Sequence, residues 1–178
     1  MDREWREKLL EGNRSYRETV DRALLTDTAL NGQHPEAIVI CCSDSRVIPE
    51  RIFHAELGGL FVIRVAGNVL DRHQLGSVEY AAAHLHCPRI VVLGHTGCGA
   101  VAAALSGGVE GYIRSITDEI LLAVGSERDP VRASEKNVRH ALRRLREAFA
   151  EHPEIQQVEV VGAMYDIKSG ECRFLEEE

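Results

Sequence analysis

The chain has 178 residues, of which 44% are hydrophobic and 28% are charged, a composition typical of a soluble globular protein with a single domain. The formal net charge is −7 and no run of Lys and Arg suggests a local basic patch, which argues against a nucleic-acid-binding protein. No segment reaches the roughly 18 consecutive apolar residues of a membrane-spanning helix, and residues 1–12 lack the apolar core of a signal peptide. We therefore expect a cytoplasmic protein that binds neither nucleic acid nor a membrane.

The N-terminal part of the chain is predicted to be helical. Apolar residues recur at helical intervals over residues 2–25, and Gly12 and Asn13 mark a point where this helix would break or bend. Residues 26–36 are polar and contain the turn signal Asn31–Gly32, so they are predicted to form a connection to the rest of the chain.

From Ala37 onwards, short apolar runs alternate with helical patterns. Runs that are apolar on both faces are typical of buried parallel strands, and the last run, which follows a turn at residues 168–170, is typical of an edge strand. The predicted strands are residues 37–41, 60–63, 89–94, 157–162 and 172–175. The predicted helices are residues 75–85, 111–124 and 131–150, the last with Asp129 and Pro130 at its start. This alternation indicates an α/β domain with a mostly parallel central sheet flanked by helices.

Two polar clusters next to predicted strands carry the candidate chemistry. Residues 41–46 (CCSDSR) lie at the end of the first predicted strand, and residues 94–99 (GHTGCG) lie at the end of the third. In open α/β sheets, ligand sites form outside the carboxyl ends of the strands. Cys42, His95 and Cys98 supply two thiolates and one imidazole, a donor set that suits zinc. Three protein ligands leave a fourth position open, as in catalytic zinc sites.

The other cysteines and histidines are weaker candidates. Five cysteines are present, an odd number that disfavours a disulfide framework and favours metal binding or reactive thiols. Cys41 is the alternative fourth ligand, but neighbouring residues of a strand point to opposite faces, so we expect it to face the packing side when Cys42 faces the site. Cys87 and Cys172 are expected to be small apolar core residues. Four histidines have no ligand spacing to a second donor: His54, His73, His84 and His86.

Asp44 and Arg46 lie close in sequence to the candidate ligand Cys42. An Asp–Arg pair of this kind can be a surface ion pair that contributes little to stability. Beside a metal, the Arg46 guanidinium would keep Asp44 ionised and turned away from the zinc. An ionised carboxylate accepts hydrogen bonds but cannot donate them. Asp44 would therefore favour a zinc-bound hydroxide whose hydrogen points at the carboxylate, which gives the pair a candidate catalytic role.

The two clusters resemble the paired motifs of the β-class carbonic anhydrases, CSDSR at residues 42–46 and GHTGCG at residues 94–99. The resemblance covers nearly the whole chain. Four further segments carry it: LLEGNRSY near the start, LFVIRVAGNV at residues 60–69, SVEYAAAHL at residues 77–85 and VVGAMYDIKSGECRFL at residues 160–175. Either zinc motif alone would be a weak signal, whereas the two together are specific to the family.

For the site, the resemblance implies one zinc ion per chain with Cys42, His95 and Cys98 as ligands, and a catalytic dyad of Asp44 and Arg46. The implied reaction is the reversible hydration of carbon dioxide to bicarbonate and a proton by a zinc-bound hydroxide. Two thiolate ligands donate more charge to zinc than imidazoles would. We therefore expect a working pH on the alkaline side.

For the fold, the resemblance implies four parallel strands with a fifth at the edge, in one domain that spans residues 1–178. It also implies a homodimer or an assembly of dimers, in which a helical arm of about residues 1–30 reaches over the partner. Glu56 falls where some relatives carry a substrate-binding Gln. It is equally compatible with contact to substrate across the dimer and with a surface carboxylate.

Three other functions are compatible with the sequence. Hydrolases of carbonyl sulfide or carbon disulfide share the fold and the zinc motifs. A non-catalytic zinc protein would need a fourth protein ligand and gives Asp44 and Arg46 no role. A redox or nucleophilic enzyme would use a reactive thiolate beside a base. His95 and Cys98 could imitate that arrangement, but it leaves Cys42 unexplained. Within the carbonic anhydrase interpretation, Asp44 could also displace the water on zinc in an inactive form.

Overall fold

The computed structural model describes residues 2–176, except the side chain of Glu154. The chain divides into two compact units, one that ends at Gln33 and one that begins at His34. No helix in the described part of the chain is both long enough and apolar enough to cross a bilayer.

The first unit consists of two helices, α1 (Arg3–Thr19) and α2 (Arg22–Asn31). Helix α1 runs through Gly12 and Asn13 without interruption, so the predicted break at these residues is wrong. The helix ends instead at Val20, which has an extended backbone.

Helix α2 occupies most of the segment that we predicted to be a polar connection. Its N-cap is Asp21, whose carboxylate accepts hydrogen bonds from the backbone amides of Ala23 and Leu24 and so starts the helix. Thr26 and Thr28 bond back to carbonyls of the preceding turn, which satisfies their hydroxyls within the helix. The polar composition therefore did not prevent helix formation here. The prediction of a connection is wrong for residues 26–31, which belong to α2.

The second unit contains a five-stranded sheet: β1 (Ala37–Cys41), β2 (Leu60–Arg64), β3 (Arg89–His95), β4 (Glu159–Tyr165) and β5 (Cys172–Phe174). The strand order is β2-β1-β3-β4-β5. The first four strands are parallel, and β5 pairs antiparallel with β4 at the edge. The predicted α/β class and sheet are confirmed. The fourth strand begins two residues later than expected and continues to Tyr165.

The helices of the second unit are α3 (Pro49–Ile52), α4 (Arg72–Glu79), α5 (Gly99–Ser106), α6 (Ile113–Val124), α7 (Pro130–Ala148) and α8 (Pro153–Gln156). Helix α4 continues as a π-helical turn over Tyr80–His84. It begins earlier than predicted because Asp71 and Gln74 form a capping box. The predicted start of α7 is confirmed, since Asp129 caps the helix and Pro130 occupies its first turn. The short α3, α5 and α8 were not predicted.

Both faces of the sheet are covered, which explains why the interior positions of the four parallel strands are apolar or glycine. One face packs against helices α4 and α7 in a core that includes Ile38, Ile40, Ile90, Val92, Val138 and Leu145. On the other face, Val39, Cys41 and Leu93 pack with Val47 and with α3. A third cluster surrounds Cys42 and Cys98 and joins them to α5 and α6.

Gly94 allows α7 to lie close to the end of β3, directly beside His95. A Cβ atom at this position would lie 2.5 Å from Val138 Cγ2 and 2.7 Å from Met164 Sδ. Both neighbours are buried core side chains, so neither can move away freely.

Gly94→Ala is expected to lower the free energy of unfolding by about 1–3 kcal/mol, because the added methyl overpacks the contact between β3 and α7. The matched control is Gly76→Ala in α4, where a Cβ would meet no atom within 4 Å. That change should raise the free energy of unfolding by about 1 kcal/mol through helix propensity. Urea unfolding followed by circular dichroism measures both. Equal stability of Gly94→Ala and the wild type would contradict the close approach of α7.

Candidate metal centre

Cys42, His95 and Cys98 meet at the carboxyl ends of two neighbouring parallel strands. Cys42 directly follows β1, His95 is the last residue of β3, and Cys98 is the N-cap of α5. One ligand atom from each residue lies within 4.8 Å of the others, and all three side chains are buried. The two sulfurs are 4.0 Å apart. The structure thus brings together the three residues that the sequence singled out.

The ring of His95 is oriented by its neighbour. Its Nδ1 lies 2.9 Å from the carbonyl oxygen of Thr96. Because a carbonyl only accepts, Nδ1 carries the hydrogen and Nε2 carries a free lone pair. Within residues 2–176, Nε2 is buried and has no hydrogen-bond partner. Buried polar atoms are almost always paired, so an unpaired ring nitrogen beside two thiols is the arrangement expected of a metal ligand.

The two thiols are close enough for one to donate a hydrogen bond to the other. The Cys98 thiol can donate to Cys42, which lowers the pKa of Cys42, and the same contact together with burial raises the pKa of Cys98. The pair therefore loses its first proton easily and retains the second. A divalent cation between the sulfurs would displace that proton, because the thiolate is the metal-binding form. Two sulfurs and one ring nitrogen are a donor set that fits zinc.

Cys41 lies outside this group. It is fully buried among Val39, Leu93 and other apolar residues on the sheet face that packs against α3. Burial raises the pKa of its thiol to about 12, so it stays neutral at physiological pH. Both facts agree with the expectation that Cys41 faces the packing side and not the metal.

Asp44 and Arg46 form a two-pronged ion pair at the rim of the site. Arg46 Nε donates to Asp44 Oδ1 at 2.9 Å, and a terminal guanidinium nitrogen donates to Oδ2 at 2.7 Å. These bonds from Arg46 hold the pKa of the Asp44 carboxyl well below its usual range. Arg46 also donates to the carbonyl oxygen of Gly97 at 3.2 Å, which ties the first motif to the second. Asp44 is therefore an ionised acceptor with its position fixed on two sides.

Arg64 is a residue that the sequence analysis missed. It ends β2, and its guanidinium donates to three carbonyl oxygens of the loop after β1, those of Cys42, Asp44 and Val47. The distances are 3.3, 2.7 and 2.9 Å. The loop that carries Cys42 and Asp44 is thus held by one side chain of the neighbouring strand. The only sequence signal was an arginine at the end of an apolar run.

Other candidate residues lie elsewhere. Glu56 is exposed on the turn after α3. Cys87 is buried and weakly contacts the carbonyl of Arg89, and Cys172 is half-buried on the edge strand. His54 is exposed, with a left-handed backbone. The metal-binding group found among the described residues does not include Cys87, Cys172 or His54.

Comparison with known proteins agrees with this geometry. A family model described as carbonic anhydrase matches residues 37–172. The protein named carbonic anhydrase 2 of Mycobacterium tuberculosis is 38% identical over 152 residues, which cover 78% of this chain and 73% of that relative. The carbonic anhydrase of Mycolicibacterium smegmatis is 47% identical over 104 residues, 56% of this chain and 48% of the relative.

Solved structures extend the likeness to nearly the whole chain. The β-carbonic anhydrase CafA of Aspergillus fumigatus has a TM-score of 0.76 at 31% identity, with 97% of this chain and 88% of that chain covered. A tetrameric β-carbonic anhydrase of Sordaria macrospora has a TM-score of 0.78 at 27% identity, with 99% and 98% covered. With a family match over most of its length and a β-class structure over nearly all of it, the chain belongs to the β-class carbonic anhydrase family and catalyses the reversible hydration of carbon dioxide to bicarbonate and a proton.

Proposed function

We propose that Cys42, His95 and Cys98 hold one zinc ion per chain, and that Asp44 and Arg46 are the catalytic pair beside its open fourth position. The assignment is supported chiefly by the buried, unpaired Nε2 of His95, which lies beside two sulfurs that are 4.0 Å apart. Zinc would supply Lewis acidity, which lowers the pKa of a bound water.

The protein's own contribution is to orient the reacting water. Asp44 can only accept a hydrogen bond because Arg46 keeps it ionised. Asp44 would therefore accept a hydrogen bond from a water held at the open position, and so would help to orient that water towards carbon dioxide. Val69 and Val101 are buried in the same cluster as Cys42 and Cys98. The surroundings of Cys42 and Cys98 are therefore apolar, which suits a neutral, linear substrate.

We further propose that the chain acts as one domain in a homodimer or an assembly of dimers, with the arm of about residues 1–30 on a partner. The tetrameric relative of Sordaria macrospora supports an assembly. The exposed Trp5, Leu9 and Tyr16 of α1 supply apolar surface for a contact.

Five free cysteines, two of them in the site, favour a reducing compartment such as the cytoplasm.

Asp44→Asn tests the catalytic pair. The amide loses the charge and one acceptor atom, so kcat/KM for carbon dioxide hydration should fall by about 100-fold or more, while the zinc content stays at that of the wild type. Stopped-flow hydration and metal analysis measure the two quantities, with carbonyl sulfide as a parallel substrate. The matched control is Asp118→Asn, which breaks an exposed Asp–Arg pair on α6 and should leave the rate unchanged. A fully active Asp44→Asn enzyme would remove Asp44 from the mechanism.

Faster turnover of carbonyl sulfide than of carbon dioxide by the wild type would favour the hydrolase alternative.

Cys42→Ser tests the ligand assignment. Loss of one thiolate should lower zinc affinity at least about 10-fold and should remove the thermal stabilisation that zinc gives the wild type, because a ligand of the native state raises its stability. Chelator competition and thermal unfolding with and without zinc measure these effects. The paired variant Cys41→Ala should keep zinc affinity at the wild-type level. Zinc lost from Cys41→Ala but retained in Cys42→Ser would reverse the assignment.

The pH profile tests the effect of two thiolate ligands. The reacting water must lose a proton, and charge donated by the thiolates makes it a weaker acid than a water on a zinc ion held by three histidines. The rate should therefore rise from mildly acid to alkaline pH, while Asp44 stays ionised throughout because its pKa lies well below this range. Stopped-flow rates across buffers of equal ionic strength measure this. A flat profile would contradict the expectation.

A further inference from the structure

Asn137 is a buried amide in the middle of α7 that bonds outside its own helix. It is 2% exposed, and its Nδ2 donates to the backbone carbonyl of Gly67 at 2.6 Å. A carbonyl only accepts, so the amide nitrogen must face it. Burial of an amide is costly unless it is hydrogen-bonded, and this contact links residues that are 70 positions apart in the chain.

A second buried polar residue of α7 shows that such a contact is not a general property of this helix. Ser134 is 3% exposed and lies one turn before Asn137. Its hydroxyl donates to the carbonyl of Pro130 within the same helix. The Ser134 hydroxyl is therefore hydrogen-bonded within α7, whereas the Asn137 side chain is hydrogen-bonded to the Ala66–Asn68 turn.

The Ala66–Asn68 turn is tightly enclosed at Gly67. This residue has a left-handed backbone, with φ of 68°, and a Cβ atom there would lie 2.8 Å from Ile120 Cδ1 and 3.1 Å from Ala100 Cβ. Both the left-handed backbone and the lack of room for a Cβ atom require glycine at this position. The orientation of the peptide groups on either side of Gly67 is thus set by its surroundings, and Asn137 holds one of them directly.

The other peptide group of Gly67 points at the metal site. Its N–H donates to Cys42 Sγ at 3.3 Å. Asn137, Gly67 and Cys42 therefore form a chain of two hydrogen bonds that leads from α7 to a proposed ligand sulfur. Hydrogen bonds to ligand sulfurs draw charge from them and tune the metal they hold.

We propose that Asn137 is a positioning residue that holds the Gly67 amide against Cys42 Sγ and so sets how much charge this thiolate gives to the metal. The inference rests on the proposed assignment of Cys42 as a zinc ligand. Two thiolate ligands weaken the Lewis acidity of zinc. A hydrogen bond to one of these thiolates would restore part of that Lewis acidity. Asn137 would thus support catalysis without contact to substrate.

The test compares Asn137→Leu with wild type and with Ser134→Ala, which removes a buried polar group from the same helix but leaves the chain to Cys42 intact. Each protein is loaded with Co²⁺, and the thiolate-to-cobalt charge-transfer band is recorded in the near ultraviolet. Zinc affinity is measured by chelator competition and kcat by stopped flow. For Asn137→Leu we expect a shift of the band to longer wavelength, because the thiolate loses a hydrogen bond, and a roughly 10-fold or greater loss in kcat, while zinc affinity does not fall. Ser134→Ala should match the wild type.

Two further measurements keep the test decisive. If Asn137→Leu does not fold, Asn137→Ala removes the same donor without adding an apolar branch beside the Gly67 carbonyl. In wild-type protein loaded with ¹¹³Cd, nuclear magnetic resonance should show a scalar coupling between the metal and the Gly67 amide proton through the N–H···S bond. An unshifted cobalt band in the Asn137 variants, or absence of this coupling, would overturn the inference. Absence of any thiolate band in cobalt-loaded wild type would instead overturn the ligand assignment itself.

Discussion

The parallel pairing of β1 with β3 is the constraint on which the site depends. In this register Cys41 lies opposite Leu93, so both strands end at the same edge of the sheet and the chain leaves them side by side. Cys42 and His95 meet there although 52 residues separate them, and the start of α5 adds Cys98. Apolar side chains on both faces of the sheet hold this pairing. The three residues thus lie at the ends of strands, or at the start of a helix, that the core holds in place.

Charged groups surround Asp44 at this edge of the sheet. Asp44 is kept ionised by Arg46, and Arg46 also holds the turn at Gly97. Arg64 holds the backbone of the same loop from β2. Each guanidinium donates to carbonyl or carboxylate oxygens of this loop, and each restricts the freedom of Asp44. An acceptor that cannot turn or take up a proton is the property that orientation of a water requires.

The strands and the three clustered ligands could be predicted because their signals are local. A run apolar on both faces predicts a buried strand, and a polar, glycine-rich cluster directly after it predicts a ligand site. Arg64, Gly67 and Asn137 gave no such signal, since each acts through a contact that only the folded chain creates. The break expected at Gly12 did not occur because a single glycine costs a helix only about 1 kcal/mol. The Ala-rich α5 was missed because alanines show no apolar stripe.

The central claim is that two sulfurs and one ring nitrogen hold the zinc. X-ray absorption at the zinc edge tests it most directly, in wild type and in Cys42→Ser. The account predicts two sulfur neighbours at about 2.3 Å and one nitrogen at about 2.0 Å in the wild type, with lighter scatterers completing the shell. In Cys42→Ser, any zinc that remains bound should have one sulfur neighbour. Three sulfurs in the wild type, or two retained in Cys42→Ser, would contradict it.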